Sequence, residues 1–170
     1  MPLTPTLERE IKLRFGSVEE ARNAVLATGA TPLLGRRLQE DSLLDTEDES
    51  LRRRRCVLRV RVENGKSRIT FKGPVQPSVM KLREELGLHV WFRYEKYREE
   101  FSHEDVTVTV DETPVGVFVE IEGSDTGITT MADCLGRTTD DYVLDSYRGL
   151  FLKHRDAFGL TGTDMVFDRP

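Results

Sequence analysis

The chain has 170 residues, of which 38% are hydrophobic and 32% charged, and a formal net charge of -5. That length predicts one domain, 1–170, with a core of modest size, and the acidic balance excludes a nucleic-acid coat or an anionic membrane surface as its main partner. No apolar run approaches a membrane span, and Met1-Pro2-Leu3-Thr4-Pro5-Thr6 lacks a basic region followed by a hydrophobic one, so a cytoplasmic location is expected.

The first predicted element is a strand through Glu8-Arg9-Glu10-Ile11-Lys12. In an extended strand, side chains two apart share a face, so Glu8, Glu10 and Lys12 point together. Ser17 to Thr28 reads as a helix, with Ser17 as N-cap, Glu20 completing a capping box, and Gly29 closing it. Val18, Ala21, Ala24, Val25 and Leu26 form its apolar stripe. A strand from Pro32 to Leu44 follows, then an acidic turn from Asp45 to Ser50, then a strand from Leu51 to Glu63 that carries Arg59 and Arg61 on one face. Asn64-Gly65 is a hairpin signal that joins it to Ser67 through Lys72. The run Arg52 to Arg55 is a weak nucleic-acid signal, because no stacking residues accompany it.

Beyond Gly73-Pro74, strands are predicted over Val79–Leu86, Val90–Phe101 and the alternation of Val106, Val108 and Val110 with Thr107, Thr109 and Asp111. The last strand is Val117 to Glu122, with Glu120 and Glu122 on one face and Val117, Val119 and Ile121 on the other. The C-terminal third reads as helical: Ile128 to Leu135 ending at Gly136, then a longer helix from Thr139 to about His154 with Tyr142, Val143, Tyr147, Leu150 and Phe151 as its apolar stripe. That second helix is expected to pack outside the sheet, with a lid over one opening as the alternative, and 161–170 reads as a loose tail.

Nearly every strand thus has one apolar and one charged face. Solvated polar faces are usual in antiparallel sheets, but here the signs are segregated, with Arg and Lys on the middle strands and Glu or Asp on the first and the last two. A closed barrel with the polar faces inward would bring the two signs together around a polyanion and its metals.

Glu8-x-Glu10-x-Lys12, Thr70-Phe71-Lys72-Gly73-Pro74, Tyr94-Glu95-Lys96-Tyr97-Arg98, and Asp111 followed by Gly116-Val117-Phe118-Val119-Glu120-Ile121-Glu122 together resemble the CYTH superfamily, the triphosphate tunnel metalloenzymes. The resemblance keeps the motif order over nearly the whole chain and looks nearest to the class IV adenylate cyclase and thiamine triphosphatase branch. It implies an α+β, mainly β fold: an eight-stranded antiparallel closed barrel, or tunnel, with a charged lumen and helices outside. Residues 1–74 would form its first half, 75–125 its second, and 126–160 the C-terminal helices. It also implies a triphosphate-containing substrate bound inside with a divalent metal. One departure stands out, since only Leu86-Gly87-Leu88-His89 lies where the family usually carries a second helix. Either a tight turn replaces that helix or residues are missing at this point.

The site residues follow. No Gly-x-x-x-x-Gly-Lys loop is present, so side chains must offset the phosphate charge: Lys12, Arg59, Arg61, Lys72, Lys96 and Arg98, with Arg83 a weaker candidate. Glu8, Glu10, Asp111, Glu120 and Glu122 are the expected metal ligands, and Glu10 and Lys12 the expected catalytic residues. Cys56 and Cys134 have no metal-ligand spacing and read as reduced thiols. His89, His103 and His154 form no zinc signature, so oxygen ligands and magnesium or manganese are expected. The expected reaction is phosphohydrolysis of inorganic triphosphate, thiamine triphosphate or a nucleoside triphosphate. The alternatives are a cyclase making cyclic AMP and pyrophosphate from ATP, and a non-catalytic polyphosphate or phosphorylated-ligand binder. The partner is a small molecule, and the protein a monomer or homodimer.

Overall fold

Alternation of β-branched and charged residues folds most of the chain into one antiparallel sheet, seen in a computed structural model that describes residues 9–73 and 87–168. The strands are β1 (Glu10–Phe15), β2 (Thr31–Thr46), β3 (Val57–Glu63), β4 (Lys66–Lys72), β5 (Leu88–His103), β6 (Val106–Thr113) and β7 (Gly116–Glu122). Their order across the sheet is β1-β7-β6-β5-β2-β3-β4. The expectation of eight strands closed into a barrel is corrected: among the described residues there are seven strands, and no pairing joins β1 to β4. The outer edge of β1 is taken instead by a bridge in which Lys12 N donates to Val143 O and Val143 N donates to Lys12 O. The strand expected over Val79–Leu86 lies outside the described residues.

Register assigns the faces. Glu10 lies opposite Glu122 and Lys12 opposite Glu120; Thr109 lies opposite Glu120, Arg98 opposite Asp111, and Asp41 opposite both Tyr94 and Arg61. All of these side chains share one face. Ile11, Leu13, Phe15, Val106, Val108, Val110, Val119 and Ile121 fill the other, packed against Ala21 and Val25 of α1 (Val18–Ala27) and Ile128, Met131 and Ala132 of α3 (Asp125–Cys134). Ser17 caps α1 by accepting from Glu20 N, as predicted, while the Glu20 carboxylate takes Gly16 N rather than the Ser17 amide. Asn64 and Gly65 both adopt positive φ, 50° and 71°, which sets the β3–β4 hairpin.

Four further expectations fail. The strand predicted from Leu51 starts only at Val57, because Ser50–Arg53 forms a helical turn, α2. Buried Asp45 nucleates it by accepting from Thr46 N, Leu51 N and Arg52 N at 2.8, 2.9 and 3.1 Å. The long helix predicted from Thr139 breaks into a 3-10 turn at Thr139–Asp141, the extended bridge at Val143, and α4 (Tyr147–His154), which has its own N-cap in Ser146. Moreover, α4 does not pack outside: Tyr147, Leu150 and Phe151 bury against Leu43, Phe92, Tyr94 and Phe118 on the charged face. The tail is not loose as far as it is described. Met165 is fully buried and bridges the edge of β5 beyond the end of β6, with Met165 N donating to Arg93 O and Glu95 N to Met165 O.

Candidate functional site

Four strands and one helix converge on Asp111, which β6 places at 0% exposure. A buried carboxylate is tolerated only when its lone pairs are satisfied. Lys96 Nζ donates to Oδ2 at 2.8 Å, Arg98 Nε to Oδ1 at 2.7 Å, and the Tyr147 hydroxyl to Oδ2 at 2.6 Å. Burial raises the Asp111 pKa, but Arg98 and Lys96 outweigh it and hold the carboxyl well below the usual range. Glu120, on the neighbouring strand, pairs with Arg98, with Lys12 at 3.3 Å and with Lys96 at 3.8 Å. Its pKa is likewise lowered: burial opposes this, and Lys96 and Arg98 prevail.

The ammonium groups respond in opposite directions. Burial would lower Lys12, yet Glu120 and Glu10 raise it, and Lys12 Nζ donates to Glu10 at 3.0 Å. Lys96 is lowered, first by burial and then by Arg98 beside it. Both nitrogens also lie over the Tyr147 ring, at 5.3 and 4.7 Å from its centroid, which adds cation–π attraction. Tyr147 therefore ties α4 to the charge cluster.

A second cluster forms two strands away. Arg61 makes a forked pair with buried Asp41 at 2.9 and 3.1 Å, and Arg59 Nε lies 3.4 Å from the same carboxylate. Arg68, Thr70 and Lys72 extend this face along β4, Arg68 opposite Arg61 and Thr70 opposite Arg59.

Of the residues predicted from sequence, Glu10, Lys12, Lys96, Arg98, Asp111 and Glu120 are brought into one cluster. Glu122 shares their face. Arg59, Arg61 and Lys72 lie on that face too, at the β3–β4 side, while Glu8 and Arg83 fall outside the described residues. Sequence reasoning missed Asp41 and Tyr147. Asp41 was readable from its alternation with Gln39 and Leu43; Tyr147 looked like any member of an apolar stripe.

Among the described residues, no three His, Cys, Asp or Glu side chains converge as a ready-made metal cage. The donor chemistry nevertheless suits a hard cation. Glu10 and Glu122 stand directly opposite each other on one face, a like-charge pairing that destabilises a sheet and that a shared cation relieves. Magnesium in particular is held by one or two carboxylates, with phosphate oxygens and water completing its shell.

Together, sheet and charge define an α+β protein with one charged face: carboxylates and buried cations at one side, arginines and a lysine at the other. The CYTH domain model matches residues 6–136, and the chain belongs to the CYTH domain family. It is 25% identical over 136 residues, 69% of this chain and 77% of the relative, to a Methanocaldococcus jannaschii protein provisionally named an adenylate cyclase. Its fold is similar to that of a Vibrio parahaemolyticus protein with the same provisional name, at TM-score 0.67 and 18% identity, covering 85% of this chain and 97% of the other. It is also similar to a Hippeastrum protein described as an adenylyl cyclase candidate with a dominant triphosphatase activity, at TM-score 0.59 and 16% identity, covering 86% and 96%.

Proposed function

We propose that this protein is a divalent-metal-dependent phosphohydrolase that acts on the triphosphate part of its substrate, whether inorganic triphosphate, thiamine triphosphate or a nucleoside triphosphate. The observation that carries this reading is how the charged face is used. Its rings, Phe92, Tyr94, Phe118 and Tyr147, are all buried in the packing of α4, so they are spent on the fold rather than left to stack a base. The cations of β3 and β4 sit on the same face at partial or full exposure.

The residues divide the work by position. Arg59 and Arg61 offer planar forks to phosphate oxygens, and Lys72 a point charge. Lys12, Lys96 and Arg98 face the carboxylate side, where they balance the phosphoryl group and fix Asp111 and Glu120. Glu10, Asp111, Glu120 and Glu122, with Glu8, would hold magnesium or manganese, which when bound offsets phosphate charge and lowers the pKa of a coordinated water. Water then attacks the terminal phosphorus, its bond to the bridging oxygen breaks, and that oxygen leaves with the remaining diphosphate. Glu10 is the carboxylate best placed to take the water's proton, being half-exposed and touching Lys12. Glu10→Gln is expected to lower metal-dependent turnover by about 100-fold; wild-type turnover in that variant rules Glu10 out.

A second reading is a class IV adenylate cyclase, in which the ribose 3′-hydroxyl attacks the α-phosphorus of ATP; the provisional names of two relatives favour it. Incubation with inorganic triphosphate and with ATP, each with magnesium or manganese, separates the readings. Orthophosphate release supports the hydrolase; cyclic AMP with pyrophosphate overturns it in favour of the cyclase; binding without product leaves a non-catalytic binder.

A further inference from the structure

Thr109 is 5% exposed, and its hydroxyl is buried without a hydrogen-bond partner among the described residues. Buried hydroxyls are nearly always paired, because an unpaired one forfeits its hydration for nothing. β6 would lose nothing in strand preference with valine here, since Val108 and Val110 flank the position.

The placement of this hydroxyl is informative. Thr109 projects from the charged face, two residues before Asp111 and opposite Glu120 on β7 and Glu100 on β5. Three other buried polar atoms on this face lack a hydrogen bond: Arg37 Nε, Arg59 Nε and Gln39 Oε1. The two guanidinium nitrogens lie within ion-pair reach of carboxylates, at 2.9 Å from Glu63 and 3.4 Å from Asp41. Gln39 Oε1 can only accept. Among the described residues, Thr109 is therefore the buried neutral donor left over on the charged face, in register with Glu120 and Glu100 beside the charge cluster.

We infer that Thr109 is a substrate-binding residue whose hydroxyl is reserved for a non-bridging phosphate oxygen of the bound polyphosphate chain. The inference rests on the triphosphate reading and deepens it. A phosphate oxygen set among Lys12, Lys96 and Arg98 accepts the Thr109 proton, and the hydroxyl regains the hydrogen bond it lacks in the free protein. The consequence is a split between stability and binding, because the group that costs the free protein helps the complex.

The test is calorimetric titration of inorganic tripolyphosphate in EDTA, which withholds the divalent cation and stops turnover, together with a separate magnesium-dependent turnover assay and urea unfolding of the free proteins. Thr109→Val is expected to bind about 10-fold more weakly and to unfold at the same or a higher urea midpoint, while Thr109→Ser restores affinity. Equal affinity in Thr109→Val overturns the assignment. So does a Thr109→Val protein whose stability falls along with its affinity, since the hydroxyl would then already be paired in the free state. Lost turnover with unchanged affinity assigns the hydroxyl to the reacting water instead and overturns the phosphate contact. Wild-type protein that binds tripolyphosphate neither in EDTA nor with magnesium refutes the triphosphate reading itself, an outcome distinct from failure of Thr109 alone.

Discussion

The two halves of the sheet are built to different tolerances. On β1, β7, β6 and β5 the apolar side is sealed by α1 and α3, and the charged side holds Lys12, Lys96, Asp111 and Glu120, all under 9% exposed. On β3 and β4 the apolar side is open at Ile69 and Phe71, 55% and 45% exposed, and Arg68 and Lys72 project toward solvent, while Arg59 and Arg61 stay beside Asp41. Charges locked in a dry, crowded cluster hold fixed positions; charges on long exposed stems adapt at low cost. The stiff half suits the placement of a reacting phosphorus and its cation, and the open half suits the capture of a flexible polyanion.

The sharpest way to break the stiff half is Asp111→Ala. It strands Lys96 and Arg98 as buried, less compensated cations, and unfolding experiments are expected to show a loss of about 3–5 kcal/mol. Tyr147→Phe is milder, because Asp111 keeps its two cationic partners. A loss of about 1.5 kcal/mol is expected, the low end for a hydrogen bond to a charged group.

Acid sharpens the same contrast. The folded pKa values of Asp111 and Glu120 are depressed, so their contribution to stability is present above the unfolded values of about 4 and is lost as pH falls through the folded ones. Lys12, raised in the fold, contributes fully below its unfolded value and loses that contribution only in alkali. Lys96, lowered in the fold, works the other way, its penalty relieved as pH rises through its lowered folded value. Urea midpoints measured against pH are expected to fall below about pH 4, with a shallower acid limb in Asp111→Asn. The smallest effect is expected in the open half: Arg68→Ala should raise KM while leaving kcat and the urea midpoint in place, because Arg68 is exposed. A fall in kcat as large as the rise in KM would show that β4 is part of the rigid site.

Strand alternation made most of this fold readable, since a period of two assigns each side chain to a face before any partner is known. It placed the Glu10, Lys12, Lys96, Arg98, Asp111 and Glu120 cluster on shared faces. It could not say whether those faces close, nor where α4 would lie. An apolar stripe shows that a helix buries one side, not which surface receives it. A signal was present all the same: each charged row turns apolar at one end, Asp41 giving way to Leu43, Lys96 to Tyr94 and Phe92, and Glu120 to Phe118, which is where α4 sits. The helical turn at Ser50–Arg53 was hidden for another reason: Asp45 nucleates it through backbone amides adjacent and six and seven residues away, and residue identity does not announce such bonds.

Trp91 is the chain's single tryptophan, and its ring lies 4.2 Å from the Arg52 guanidinium on α2 and 4.8 Å from that of Arg148 on α4. Arg148 follows Tyr147 directly, so the residue that touches the indole adjoins the one that holds Asp111. Indole emission is sensitive to a cation at its face. The molecule therefore carries its own optical gauge of how α4 is seated, readable in solution without a label and in real time as ligand is added.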